Sequence, residues 1–306
     1  VVFGTASGFG AVDGTGRRVI DLTSLTAAQG FIIQGDEAGD QAGHSVSSAG
    51  DVNSDGFDDL IVGAWGGDDG GGGAGEAYVV FGSSSGFGTA VSGRQVIDLT
   101  TLTAAQGFII QGDVAGDQAG YSVASAGDIN GDGFDDLIVG ARYGDDGGNA
   151  AGEAYVIFGS ASGFGASVTV GGFARQVIDL TSLTAAQGFI IQGDVAGDFA
   201  GISVSSAGDV NGDGFDDLVV GAFGGDDGGN WAGEGYVIFG GAFGRTVVTT
   251  GTAAAEMLIG STGNDTLTGN AASTTILIGL AGDDRLTGGA QRVAGGRLDL
   301  DDLGAE

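Results

Sequence analysis

The sequence predicts an all-β chain built of propeller blades, each made of four antiparallel strands. Three observations lead there. One unit recurs three times, the apolar runs inside it are short and rich in β-branched and aromatic residues, and 68 of the 306 residues are glycine while none is proline. Asp51-Val52-Asn53-Ser54-Asp55-Gly56-Phe57-Asp58-Asp59-Leu60 returns at residues 128–137 and 209–218, at spacings of 77 and then 81 residues. Self-similarity of this length marks a repeat architecture. A sandwich of unrelated hairpins gives no reason for it.

Within each unit the elements follow in a fixed order. A Gly-Phe-Ile-Ile-Gln-Gly-Asp run begins at Gly30, Gly107 and Gly188, and a Tyr-Val-(Val/Ile)-Phe-Gly run begins at Tyr78, Tyr155 and Tyr236. Residues 31–33, 45–47, 60–62 and 78–81 read as strands bounded by Gly, Asp, Asn and Ser. No segment keeps an apolar 3.6-residue period over a helical length, and glycine at this density costs a helix ~1 kcal/mol per position. The four extra residues of the longer spacing fall between residues 159 and 178, where a loop insertion is expected. Blades are expected around 35–112, 113–193 and 194–245, with an extra outer strand pair in 1–34; propeller repeats thus fill 1–250, and 251–306 forms a separate tail. Rings close with ~4–8 blades. The chain is therefore expected to be an incomplete propeller, part of a longer product or completed by partner chains. Val1-Val2-Phe3-Gly4 matches the end of a unit rather than a start signal.

Charge narrows the partners. Nine arginines, with no lysine, face 40 acidic residues, for a net charge of -31. Nucleic acid and anionic membrane surfaces are excluded as partners, because both need clustered positive charge. No apolar run approaches the ~20 residues of a membrane-spanning helix, so no membrane insertion is expected. Without cysteine, and with His44 as the single histidine, zinc chemistry has no ligand set. A hydrophobic content of 42% separates the chain from acidic disordered sequences. Folding at -31 calls for counter-charge, and divalent cations are the obvious supply.

The repeated decapeptide shows where they would bind. Its pattern D-x-N-x-D-G-x-x-D places hard oxygen donors at alternate positions of a short loop, as calcium requires. The donors are Asp51, Asn53, Asp55, the Phe57 carbonyl and Asp59 in the first loop. They are Asp128, Asn130, Asp132, the Phe134 carbonyl and Asp136 in the second, and Asp209, Asn211, Asp213, the Phe215 carbonyl and Asp217 in the third. About three Ca²⁺ ions follow. An EF-hand is excluded, since Val62, Val139 and Val220 stand where its glutamate would be. Asp58, Asp135 and Asp216 are expected to face solvent or a neighbouring strand.

The combination D-x-N-x-D-G-x-x-D-L-(I/V)-V-G-A followed by G-(E)-x-Y-V-(V/I)-F-G resembles the FG-GAP repeats of integrin α-subunit propellers and of large secreted bacterial proteins. The resemblance covers roughly residues 1–245 and implies calcium in the loops and a ligand face on the propeller. Two family positions differ: Ala42-Gly43, Ala119-Gly120 and Ala200-Gly201 replace Phe-Gly, and Trp65, Arg142 and Phe223 replace the proline of Gly-Ala-Pro. In the tail, residues 260–268 and 279–287 resemble the G-G-x-G-x-D-x-U-x nonapeptide of RTX (hemolysin-type) rolls. That resemblance makes Asp265 and Asp284 candidate ligands for further calcium and implies type I secretion from a bacterium.

No enzyme is expected. Gly82-Ser83-Ser84-Ser85-Gly86 matches G-x-S-x-G, but the equivalent turns at 4–8 and 159–163 break the match. The Asp68-Asp69, Asp145-Asp146 and Asp226-Asp227 pairs recur in every unit, which points to loop solvation or accessory cation binding instead. What differs between units is more informative: His44/Tyr121/Ile202, Trp65/Arg142/Phe223, Gly66/Tyr143/Gly224 and Gly73/Ala150/Trp231. These positions flank the loops opposite the aspartate hairpins. His44, Trp65, Tyr121, Arg142, Tyr143, Ile202, Phe223 and Trp231 thus form a candidate contact face for a protein or glycan, with drift at loop tips as the bland alternative. The expected function is calcium-dependent, non-catalytic adhesion or ligand binding at the cell surface or outside the cell. Copies of the chain joined edge to edge in a filament or matrix, or an accessory propeller of a larger secreted enzyme, are the alternatives.

Overall fold

Short runs such as Leu60-Ile61-Val62 bury both faces, so the strands they form must be covered on each side. In the computed structural model the described residues are 1–242, apart from Ser7 and Gly171, together with the backbone of seven strands between 248 and 298. Among the described residues, apart from three 3-10 turns, Leu22–Ser24, Leu99–Thr101 and Leu180–Ser182, the regular structure is entirely β. Among the described residues no helix is long and apolar enough to cross a membrane.

The second unit forms a four-stranded antiparallel blade in the order Ala119–Gly127, Asp136–Ala141, Glu153–Ile157, Gly188–Gln192. The first unit repeats it with Ser45–Gly50, Asp59–Ala64, Glu76–Val80 and Gly107–Gln111. The third unit shows three such strands among the described residues, Ala200–Gly208, Asp217–Ala222 and Glu234–Ile238. Ahead of them, Val2 bridges to Gly30 as the third and fourth strands of a blade do.

A further hairpin joins neighbouring units. Thr89–Val91 and Arg94–Asp98 leave the first unit, and Arg94–Asp98 pairs in parallel with Ile32–Gln34 of the preceding one. Ala166–Val170 and Phe173–Asp179 do the same against Gly107–Gln111. Ring stacking fastens both, Phe87 on Phe31 at 4.2 Å between centroids and Phe164 on Phe108 at 4.1 Å. The four-residue insertion expected in a loop lengthens this hairpin instead.

The core lies between successive blades. Ile61, Val79, Val123, Val139 and Tyr155 share one layer, and Ile138, Val156, Val204, Leu218 and Val220 the next. Glycine lets the blades approach: a Cβ on Gly63 would lie 2.0 Å from the Gly120 carbonyl oxygen, and one on Gly140 equally near that of Gly201. At the loop end, Asp135 Oδ2 accepts the Asp51 amide at 2.8 Å and Asp216 Oδ2 that of Asp128 at 3.0 Å. Two of the three eighth-position aspartates therefore tie one blade to the preceding one, while Asp58 is exposed.

The tail strands pair differently. Val248–Thr250, Thr266–Thr268, Asp283–Thr287 and Arg297–Leu298 form one sheet, and the intervening Glu256–Ile259, Thr275–Gly279 and Gln291–Ala294 form another. All these pairings are parallel, with Leu258 opposite Leu277 and Leu267 opposite Leu286. Asp265 lies outside the described residues, as does the side chain of Asp284.

Candidate metal centres and an aromatic face

The aspartate loops join the first and second strands of each blade. Gly56, Gly133 and Gly214 hold φ of +89°, +89° and +93°, a left-handed conformation that side-chain-bearing residues rarely adopt. The turn folds the acidic side chains back over the loop's own amides. Asp51 Oδ1 and Asn53 Oδ1 both accept the Asp55 amide, at 3.0 and 2.9 Å, while Asp51 Oδ2 accepts Gly56 at 2.9 Å. The second and third loops repeat these bonds through Asp128 and Asn130 and through Asp209 and Asn211. Asp55, Asp132 and Asp213 each accept the amide two residues on.

The ninth-position aspartates have a further task. Asp59, Asp136 and Asp217 are fully buried. Asp136 accepts the Ile129 amide at 3.1 Å and the Gly159 amide at 2.8 Å, so it pins the loop to the end of the third strand. Asp59 does so through Val52 and Gly82, and Asp217 through Val210 and Gly240. Burial, aided by the other loop carboxylates, pushes Asp59 up to about 6 and Asp136 up to about 8 even though these amides oppose the shift. In the first two loops burial thus opposes a charge that the loop's own hydrogen bonds do not offset. The donors of all three loops are hard carboxylate and amide oxygens, a set that fits calcium.

Among the described residues, three tight acidic groups lie at the other end of the blades. Asp36, Asp40 and Glu76 place one carboxylate oxygen each within 4.8 Å of one another, as do Asp113, Asp117 and Glu153, and Asp194, Asp198 and Glu234. Both aspartates sit on the crossover from the outer strand of one unit to the inner strand of the next, and the glutamate opens the third strand. A tyrosine from that strand reaches into each group. Tyr155 Oη lies 2.8 Å from Asp113 Oδ2 and 2.6 Å from Glu153 Oε2; Tyr78 spans Asp36 and Glu76, and Tyr236 spans Asp194 and Glu234. Burial and neighbouring carboxylates raise Asp117 to about 7. For Glu76, burial also raises the carboxyl to about 7 against the hydrogen bond from Tyr78. The sequence signal was present: Gly-Asp and Glu-x-Tyr recur in every unit, but the partners stand about 40 residues apart.

At the same end the candidate contact residues come together. Trp65, His44 and Tyr121 form a group with centroids 4.8 to 6.4 Å apart. The Arg142 guanidinium sits 3.8 Å from the Tyr121 ring centroid and 4.6 Å from that of Tyr143. Tyr143 meets Phe199, which stacks on Phe223 at 5.2 Å, and Trp231 closes the row against Phe223 at 5.4 Å. One band of rings therefore crosses three blades. Ile202 adds no ring to the band; Phe199, three residues before it and absent from the sequence-based set, does so where the other units carry Gln41 and Gln118. Phe199 and Trp231 hold φ of +58° and +57°, and Trp231 is 59% exposed. A bulky residue in that conformation costs on the order of 1 kcal/mol, and the exposed Trp231 ring gains little from burial to offset it. Folding alone does not account for the Trp231 side chain.

Comparison with known proteins places this geometry. A family model described as FG-GAP repeat matches residues 42–80, 119–157 and 200–238, which span the three inner strands of each blade. Integrin alpha pat-2 of Caenorhabditis briggsae is 33% identical over 215 residues, covering 68% of this chain and 14% of that protein. The Caenorhabditis elegans counterpart is 32% identical over 215 residues, with the same coverage. Integrin alpha-5 of Xenopus laevis is 28% identical over 211 residues, covering 67% of this chain and 16% of the relative. The chain spans about one seventh of the length of these relatives.

Proposed function

From three FG-GAP repeats in an integrin-α-type arrangement, we propose that this chain is an extracellular, calcium-binding adhesion module that binds a protein or glycan without catalysis. The observation that carries the reading is the aromatic band from Trp65 to Trp231. It is continuous across blades, exposed at Tyr143, Phe223 and Trp231, and lies at the strand ends opposite the aspartate loops. Rings with an arginine among them are what protein interfaces concentrate at their energetic centres. Calcium acts at the far end, where the Asp, Asn and Phe-carbonyl donors of the three loops hold it and it neutralises the charge that burial leaves uncompensated.

The tail supports an extracellular setting. Its strands alternate between two parallel sheets, the winding a roll of RTX nonapeptides adopts, and on this reading Asp265 and Asp284 add calcium ligands and the chain leaves a bacterium by type I secretion.

Beads coated with the chain are expected to bind cells or extracellular matrix in calcium. A Phe223→Ala, Trp231→Ala double variant should reduce bound beads at least about tenfold, the scale of one lost hot spot, while leaving the melting temperature within about 2 °C because both rings are exposed. Equal binding by the variant would show that the band is not the contact face.

A further inference from the structure

We propose that Asp113/Asp117/Glu153 and Asp194/Asp198/Glu234 are a second tier of divalent-cation sites, separate from the aspartate loops, and that Arg175 fills the corresponding place beside Asp36. The spacing suits the ion. Three carboxylate oxygens within 4.8 Å of one another can all reach a calcium ion at its usual ~2.3–2.6 Å.

Acidic crowding alone would not identify a site, but the hydrogen-bond inventory does. Asp36 Oδ1 and Asp113 Oδ1 are buried and have no hydrogen-bond partner. Asp40, Asp117 and Asp198 are 5%, 5% and 4% exposed, and among the described residues no donor reaches their side chains. A buried carboxylate left without donors is costly unless a cation or proton joins it. Tyr155 does not meet the deficit: its hydroxyl touches both Asp113 and Glu153 but carries one proton.

Arg175 shows what the sites lack. It reaches in from the hairpin of the following unit, only 5% exposed, and places Nη1 3.6 Å from Asp36 Oδ2 and 3.8 Å from Asp69 Oδ2. Its Nη2 donates to the Thr100 carbonyl at 3.0 Å, while Nε and Nη1 make no hydrogen bond, so it is held there chiefly as a charge. Among the described residues no basic side chain pairs with the second or third group. Where no basic side chain among the described residues reaches the set, a cation from solution completes it. The site also bears on the aromatic band: the Asp117 carbonyl accepts the Tyr143 amide at 3.2 Å, and Asp198 directly precedes Phe199. A bound ion would fix the crossover on which those rings are mounted.

Calcium bound per chain of residues 1–306, measured by equilibrium dialysis near neutral pH, tests this with three variants. Asp117→Asn is expected to bind one ion fewer than the wild type. Arg175→Gln is expected to bind one more, a gain that misfolding cannot produce. Asp132→Asn, in an aspartate loop, should lose a different ion, so that its loss adds to that of Asp117→Asn. Melting without calcium keeps the test sound, since Asp117→Asn relieves like-charge crowding and should melt higher than the wild type. An Asp117→Asn count equal to the wild type's overturns the proposal and means that shared protons satisfy these groups; a folded Arg175→Gln chain with no added ion also overturns it. Loss in Asp132→Asn alone would leave the loop sites standing without the second tier.

Discussion

Removal of calcium by excess chelator is expected to lower the melting temperature by roughly 10–30 °C. Extracellular calcium sites have Kd of about 10⁻⁴–10⁻³ M, so at about 10 mM calcium each loop gains ~1.4–2.7 kcal/mol from binding. Three loops give ~4–8 kcal/mol, and at this size ~1 kcal/mol moves the melting temperature by ~2–4 °C. The effect has a pH signature. In the cation-free chain Asp59 and Asp136 hold protons up to about pH 6 and about pH 8, well above the range of an unfolded aspartate. A raised folded value favours the folded state at low pH and loses that contribution as pH rises through it. Calcium-free stability should therefore be greatest in mild acid and fall steadily toward pH 8. Calcium takes over from the protons, so the increment it adds should grow across the same window. Scanning calorimetry at several pH values, with and without calcium, checks both; a calcium increment that is flat with pH would contradict the coupling.

Asp136→Ala is expected to cost about 3–5 kcal/mol even in saturating calcium. The side chain is fully buried, and its removal leaves the Ile129 and Gly159 amides without acceptors, at ~1–3 kcal/mol each, around a small cavity. Asp132→Ala forms the contrast. Among the described residues its carboxylate accepts a single amide, that of Phe134, so most of its effect should be lost calcium binding and shrink to about 1 kcal/mol in chelator. Urea denaturation of both variants in each condition separates a structural pin from a ligand. An Asp136→Ala loss under about 1 kcal/mol in chelator would show that the buried pair of hydrogen bonds contributes little.

The two aspartates also show what was legible in the sequence. The inner strands and loops could be read because each is local: Asp51 to Asp59 carry their own spacing, and Leu60-Ile61-Val62 carries its own burial. The hairpin at Thr89–Val91 and Arg94–Asp98 could not be. Its first strand, Thr89-Ala90-Val91, is short and exposed, and the parallel partner of the second, Ile32–Gln34, lies about 60 residues earlier in the preceding unit. The Asp113/Asp117/Glu153 group escaped for a related reason. Its members belong to a crossover and a strand that meet only once two blades have stacked. The contact face was readable as positions that differ between units, yet Phe199 was missed. Its counterparts, Gln41 and Gln118, share the same left-handed backbone but carry no ring, and the contacts of Phe199 with Tyr143 and Phe223 form only across the fold.

Anomalous diffraction at long wavelength, from crystals grown in calcium, locates the ions themselves. Strong peaks are expected inside all three aspartate loops, within about 2.3–2.6 Å of carboxylate oxygens from Asp51, Asp128 and Asp209. Loops that hold no peak in saturating calcium, with their side chains still folded onto the Asp55, Asp132 and Asp213 amides, would contradict the account.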